Sequence, residues 1–333
     1  MIATYRRPFL MLDITGRTKG YEMDVAGPAD FSTRTAGALA DLDDLDGWLP
    51  YCFDPAAERV LYAHTPDMAR VLAAPFLYQG QYACADRLVS VPLERLLFLE
   101  TAAMAPTFVL SISRCGSTLL SALLRHAGQP SASEPDIFTQ VAALPGDLRA
   151  RLGEAGRLAL IRGSAAALAR QIGAGVVIKL RDHCNEIALR LVEAVPEARM
   201  AFMLRERLTW AGSRHRAFND PPAALADILR RGVMTLDALA RGGHRPVLIW
   251  YEDLLADPGG SLARLDVAAP DPGVLAAALA GDAQAGTSVS RDATASRRLP
   301  EAFAAGFEAA WAAVCPRDVL FRNGLERLLP PSG

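Results

Sequence analysis

Thr107-Phe-Val-Leu-Ser-Ile-Ser-Arg-Cys-Gly-Ser-Thr-Leu-Leu-Ser-Ala-Leu-Leu124 decides the fold. Thr107 to Ile112 is an apolar, β-favouring run, and Leu119, Leu120, Leu123 and Leu124 then recur at helical spacing. Strand, tight turn and helix make an anion cradle, because a helix N-terminus presents unpaired amides and a partial positive charge. Gly116 allows close backbone approach, Ser117 and Thr118 add hydroxyls, and Arg114 adds a permanent cation. The nucleotide-kinase loop GxxxxGK[ST] is not matched. With Gly116 as its second glycine, Ser117 stands at the lysine position and Ser111 at the first glycine.

Around this stretch the chain has globular composition, 333 residues with 51% hydrophobic and 22% charged, and length for up to two domains. A net charge of −2 gives no global field favouring nucleic acid or acidic membranes, so an anion site must be local. The five cysteines are scattered without a CxxC pair, as in a reducing compartment without structural zinc. No apolar stretch has the length of a membrane span and Met1 to Gly20 has no continuous apolar core. A cytoplasmic protein is the expectation, and the Ala, Arg and Leu richness suggests a GC-rich bacterial genome.

Residues 1–103 form an expected accessory region, less regular than the rest, that could serve as acceptor wall, lid or subunit contact. The pattern suggests a strand within Ile2 to Ile14, a helix over Thr33 to Asp46, short helices at Pro55 to Val60 and Thr65 to Ala73, and strands between Phe76 and Val91. Trp48, Tyr51, Phe76, Tyr78 and Tyr82 read as core, and His64 as a surface or satisfied core histidine.

Residues 104–330 alternate strands and helices, which points to an α/β fold with a parallel sheet flanked by helices. Further strands are expected at 175–180, 199–204 and 246–251, and one or two helices over Gly146 to Ile172. A helix is expected from Asn185 to Val195. Lys179 closes a buried-type run, near the strand ends where open sheets bind ligands. Glu134, before Pro135, has two readings: a helix start, or a carboxylate at the mouth of the cradle able to accept a proton. Arg205 ends a strand, and Ser213 follows eight residues later in a helix.

Ser-Arg-Cys-Gly-Ser-Thr-Leu-Leu120 resembles the 5′-phosphosulfate loop of sulfotransferases, commonly R-S-G-[ST]-T-L-L, with Cys115 in place of serine. Arg205 with Ser213 is similar to that family's 3′-phosphate pair, and Tyr251-Glu-Asp-Leu254 to its Y-E-D-L strand end. The resemblance runs from Thr107 to Leu254, with a weaker match at Arg291. It implies a P-loop-like sulfotransferase fold and a donor, 3′-phosphoadenosine-5′-phosphosulfate. It also implies a small-molecule, glycan or peptide acceptor with a hydroxyl or amine, and no metal, nucleic-acid or membrane partner. By the same resemblance Glu134, Lys179 and Arg114 are catalytic. Arg114, Cys115, Gly116, Ser117, Thr118, Arg205, Ser213 and Arg291 bind the donor. A P-loop kinase or NTPase, and a non-catalytic nucleotide-binding protein on the same scaffold, are the competing readings. Oligomeric state and acceptor identity stay open.

Overall fold

A computed structural model of the chain describes residues 7–21, 23–39, 46–96 and 104–330. Its first sheet is antiparallel, with β1 (Phe9–Arg17), β2 (Phe31–Leu39), β3 (Trp48–Asp54), β4 (Arg59–His64) and β5 (Arg87–Pro92) in the order β2-β1-β5-β4-β3. The second sheet is parallel. It comprises β6 (Thr107–Ser111), β7 (Ser131–Ser133), β8 (Val177–Lys179), β9 (Arg199–Leu204) and β10 (Val247–Trp250), ordered β10-β9-β6-β8-β7 and flanked by helices. Strand order reverses beside β6, and open α/β sheets bind ligands beyond the carboxyl ends of strands at such a point. The expected α/β architecture is therefore present. Among the described residues no helix is long and apolar enough to cross a membrane.

The chain divides into two compact units, Met1–Phe108 with Pro130–Ala198 and Val109–Gln129 with Arg199–Gly333. In the first, a core forms from Phe31, Tyr51, Leu61, Phe76, Tyr78 and Leu88, with Tyr82 packed against it. The N-terminal region is thus more regular than its sequence suggests. Thr33 to Asp46 is not a helix where it is described: Phe31–Leu39 is β2, paired antiparallel with β1. Asp41, Asp43 and Asp44 lie outside the described residues. Pro55 to Val60 is not a helix but a hairpin turn over residues 55–58 followed by the start of β4, and Asp54 Oδ1 accepts from the Ala56 and Ala57 amides at 3.0 and 3.2 Å. The Asp-Pro signal was a turn signal of a different kind. The helix expected from Thr65 runs Met68–Ala73, capped by Asp67. Phe76 to Val91 holds the helix Leu77–Cys84 before β5.

In the same unit β7 and β8 pair in parallel, Ser133 opposite Lys179. Gly146–Ile172 is one helix interrupted at Gly153, whose φ is 67°. Asn185 to Val195 divides into a 3-10 turn, Asp182–Ile187, and the helix Ala188–Ala194.

In the second unit β9 and β10 pair in parallel, Leu204 opposite Trp250. Helices Ser117–His126, Arg207–Phe218 and Pro222–Arg241 carry its packing. Helix Pro222–Arg241 approaches Ile112 at Gly232, where an added Cβ would overlap Ile112 Cγ2 and meet Phe202 Cζ at 3.7 Å. Ile112 is fully buried and stiff about χ1, so it has no room to yield. Alanine at a helix interior gains about 1 kcal/mol over glycine, whereas overpacking costs about 1–3 kcal/mol. We expect Gly232→Ala to lower unfolding free energy by about 1 kcal/mol in chemical denaturation; a rise would show that the contact relaxes freely.

Candidate active site

The turn after β6 belongs to the second unit and is backbone-strained. Ser113, Arg114 and Gly116 have φ of 60°, 53° and 85°. Non-glycine residues hold that conformation at about 1–3 kcal/mol each, and only where the surroundings impose it. Helix Arg207–Phe218 imposes it through the turn's carbonyls. Trp210 Nε1 donates to Ser113 O at 2.9 Å and to Ile112 O at 3.3 Å. Arg214 donates to Ile112 O at 3.3 Å, and Arg205, just before the helix, to Arg114 O at 3.3 Å. A turn with these backbone angles and with its carbonyls engaged can form a backbone nest, a concavity suited to anions. Gly116 is the cap residue of helix Ser117–His126 and supplies no side-chain acceptor, so the first-turn amides keep their positive end for a ligand.

Side chains add charge to the nest. Arg114 donates to Gln284 Oε1 at 2.5 Å, to Val289 O at 2.8 Å and to Ser213 Oγ at 3.4 Å. Burial first, and the Arg205 charge second, push its guanidinium below the ordinary arginine value. Arg205 stacks on Tyr251 with its guanidinium carbon 4.4 Å from the ring centroid. Tyr251 also packs on the turn: a Cβ at residue 116 would overlap its Cδ2 and lie 2.8 Å from Cε2. Glycine is required there by conformation and by space together. Two guanidinium groups and a hydroxyl thus share one neighbourhood. Like charges at close range repel, and a bound dianion would relieve that repulsion.

Each predicted donor-side residue has a definite place. Ser117 and Thr118 are buried at the helix start, and Thr118 Oγ1 accepts from Gln284 Nε2 at 3.3 Å. The Cys115 side chain is fully buried, so serine's absence there removes no exposed hydroxyl. Arg291 opens helix Arg291–Ala295 and donates to Gly281 O at 2.7 Å; its segment reaches Arg114 through Gln284 and Val289. Gln284 carried no signal in the sequence. Arg214 pairs with Asp220 at 2.8 Å, and Glu252 accepts from the Glu206 amide at 3.1 Å. Asp253 pairs with Arg327 at 2.8 Å.

Glu134 and Lys179 belong to the first unit. Glu134 follows β7 with φ 54°, and its amide donates to Lys179 O at 2.6 Å, extending the parallel pairing by one step. Its carboxylate receives the Lys179 ammonium on Oε1 and faces Arg181 Nε at 3.3 Å on Oε2. Helix Asp136–Ala142 begins with no side-chain cap, so the helix-start reading of Glu134 gives way to an ion-paired carboxylate. Arg181 continues to Asp136 at 2.9 Å and to Met23 O at 3.0 Å, and lies over Tyr78 at 4.3 Å. Burial acts to lower the Arg181 pKa, and the charges of Asp136 and Glu134 outweigh it, so the net direction is up. A second pair, Lys19 with Asp30 at 3.3 Å, is joined by the Tyr51 hydroxyl donating to Asp30 at 2.5 Å. Among the described residues, no group of three or more His, Cys, Asp or Glu side chains is placed to hold a metal ion.

No family model matches the sequence, and no curated protein matches it. Among solved structures, the chain is similar to the sulfotransferase domain of the Synechococcus PCC 7002 olefin synthase, at 20% identity and TM-score 0.39 over 64% of this chain and 97% of that one. It is similar to sulfotransferase STF9 of Mycobacterium avium at 16% identity and TM-score 0.38, over 54% of this chain and 67% of that one. For sulfotransferase STF1 of Mycobacterium tuberculosis H37Rv the values are 16% and 0.37, over 64% and 78%.

Burial raises the Asp136 carboxyl to about 6, against the opposing pull of Arg181 and the Ala26 amide. An acid whose folded pKa exceeds its unfolded one, about 3.9, binds its proton more tightly when folded. Its contribution therefore favours folding below about pH 4 and is lost as pH rises through about 6. We expect the unfolding free energy of the wild type relative to Asp136→Asn to fall between pH 4 and pH 7. Denaturant titrations across that range would measure it, and a flat difference would refute the shift.

Proposed function

We propose that this chain is a sulfotransferase that moves a sulfuryl group from 3′-phosphoadenosine-5′-phosphosulfate to a hydroxyl or amine. The observation that carries the reading is the meeting of Arg114, Arg205 and Ser213 around the glycine turn, with Tyr251 packed on both Gly116 and Arg205. The sequence motifs nominated these residues separately, in stretches of chain running from Arg114 to Tyr251.

In this reading the amides of Cys115 to Thr118 hold the 5′ end of the donor, and Arg205 with Ser213 holds the 3′-phosphate. Arg291 is assigned to the donor more distantly, through its segment. The acceptor oxygen or nitrogen attacks sulfur in line. The new bond to sulfur forms as the bond from sulfur to the 5′-phosphate oxygen breaks, and that electron pair leaves with the phosphate. Glu134 takes the acceptor proton. Lys179 and Arg114 stabilise the growing negative charge, the form of help that preorganised cations give best. Side-chain cations suffice without a metal, since a sulfuryl group carries less charge than a phosphoryl group. Residues 1–103 supply an acceptor wall, a lid or a subunit contact, and the acceptor is a small molecule, glycan or peptide. The protein acts in the cytoplasm of a bacterium.

The kinase reading has less support. Tyr251-Glu-Asp253 is the nearest approach to a magnesium aspartate, and both its carboxylates are engaged, Glu252 on the Glu206 amide and Asp253 on Arg327.

Calorimetry should find binding of adenosine 3′,5′-bisphosphate and none of ATP with magnesium; the reverse would favour a kinase. Arg205→Ala should weaken bisphosphate binding about 10-fold to 100-fold, the loss of one charge-assisted contact. Unchanged affinity would remove the 3′-phosphate assignment. With labelled donor, Glu134→Gln should cut sulfuryl release to water or to a screened acceptor about 100-fold with bisphosphate affinity retained. Normal turnover would demote the carboxylate, and binding without turnover by the wild type would favour a non-catalytic protein.

A further inference from the structure

Arg181 was not singled out by any motif, yet four groups fix its guanidinium. Nε faces Glu134 Oε2 at 3.3 Å and Asp136 Oδ1 at 2.9 Å, and Nη2 donates to Asp136 Oδ2 at 3.3 Å. Nη1 donates to Met23 O at 3.0 Å, and the plane lies over Tyr78 at 4.3 Å. Asp136 is itself held, because Oδ2 also accepts the Ala26 amide at 2.8 Å. Tyr78 packs against Phe76 with centroids 5.8 Å apart, and Phe76 in turn lies 5.5 Å from the Lys179 ammonium. The clamp on Arg181 thus comes from Met23, Ala26 and Tyr78, all in the N-terminal region whose role the sequence left open.

Resting on the reading of Glu134 as the base, we propose that Arg181 is its positioning residue, held in place by the N-terminal region. A clamped guanidinium presents its charge at a fixed place, so it biases the orientation of the carboxylate it faces. Lys179 alone would hold one oxygen of Glu134 and leave the carboxylate free to turn about that contact. Arg181 Nε stands 3.3 Å from the other oxygen and attracts it by charge rather than by a hydrogen bond. The charged groups around Glu134 are Lys179 and Arg181 on one side of the balance and Asp136 on the other, with Lys19 and Asp30 beyond. Loss of Arg181 lets the carboxylate move, and a displacement of about 1 Å can cost about 100-fold in rate.

The test needs no identified acceptor. Water serves as the hydroxyl, its oxygen bonding to sulfur while the bond from sulfur to the 5′-phosphate oxygen breaks with its electron pair. Sulfate and the bisphosphate are released, and Glu134 takes the proton. Sulfate release from labelled donor would be measured for the wild type, Arg181→Met, Arg181→Lys and Glu134→Gln, each checked for bisphosphate affinity by calorimetry. Arg181→Met should lose about 10-fold to 100-fold in kcat with bisphosphate affinity unchanged. Arg181→Lys keeps a cation without the planar group; it should recover part of the rate. It remains informative if the methionine variant fails to fold. A wild-type rate in Arg181→Lys and Arg181→Met, beside a slow Glu134→Gln, would overturn the role of Arg181 alone. A normal Glu134→Gln would overturn the base, and this inference with it.

Discussion

Everything around the glycine turn depends on a few hydrogen bonds that pull the carbonyls of residues 112 to 114 toward helix Arg207–Phe218 and the arginine before it. The bond from Trp210 to Ser113 spans 97 positions of sequence, and that from Arg205 to Arg114 spans 91. Without such partners the left-handed backbone at Ser113 and Arg114 would have nothing to offset its strain. With them, the turn keeps its amides together and the helix behind it lends its positive end. The same stretch of chain thus serves as brace and as charge source, since Arg205 braces Arg114 O and also brings its own cation.

The two clusters of charge follow different electrostatic logic. Around the glycine turn, Arg114 and Arg205 face neutral acceptors, Gln284, Val289, Thr209 and a backbone carbonyl, so positive charge stays in surplus. Around Glu134 the signs balance, Lys179 and Arg181 against Glu134 and Asp136, inside a buried setting. A surplus suits the capture of an anion from solution; a balance suits holding one carboxylate in a fixed place.

The sequence made β6, β8, β9 and β10 legible because they read as short continuous apolar runs, and Arg199–Leu204 matched residue for residue; β7, the polar Ser131–Ser133, gave no such run. Of the antiparallel strands, β2 and β3 were hidden for physical reasons. After the buried Phe31, β2 is exposed along its described side chains, so it lacks the alternation that marks a half-buried strand, and its Ala-Gly-Ala-Leu segment suits a helix as well. β3 contains Pro50, which argues against a strand except at an edge or a bulge; β3 is an edge strand with a register shift at Pro50. In the candidate site, Arg205 and Ser213 were legible from spacing along one helix. Gln284 and Arg181 were not, because each acts through partners 170 and 45 positions away, and no local pattern encodes such pairings.

The aromatic ring of Tyr251 touches the turn at a point where no side chain fits and, on another side, supports a guanidinium. One ring therefore ties two positions of the chain into a single unit of inheritance. Drift at residue 116 away from glycine is viable only alongside a smaller residue at 251, which would leave Arg205 without its platform. Libraries that vary these three sites one at a time would sample mostly dead sequences, whereas joint variation would expose whatever alternative solutions the scaffold allows.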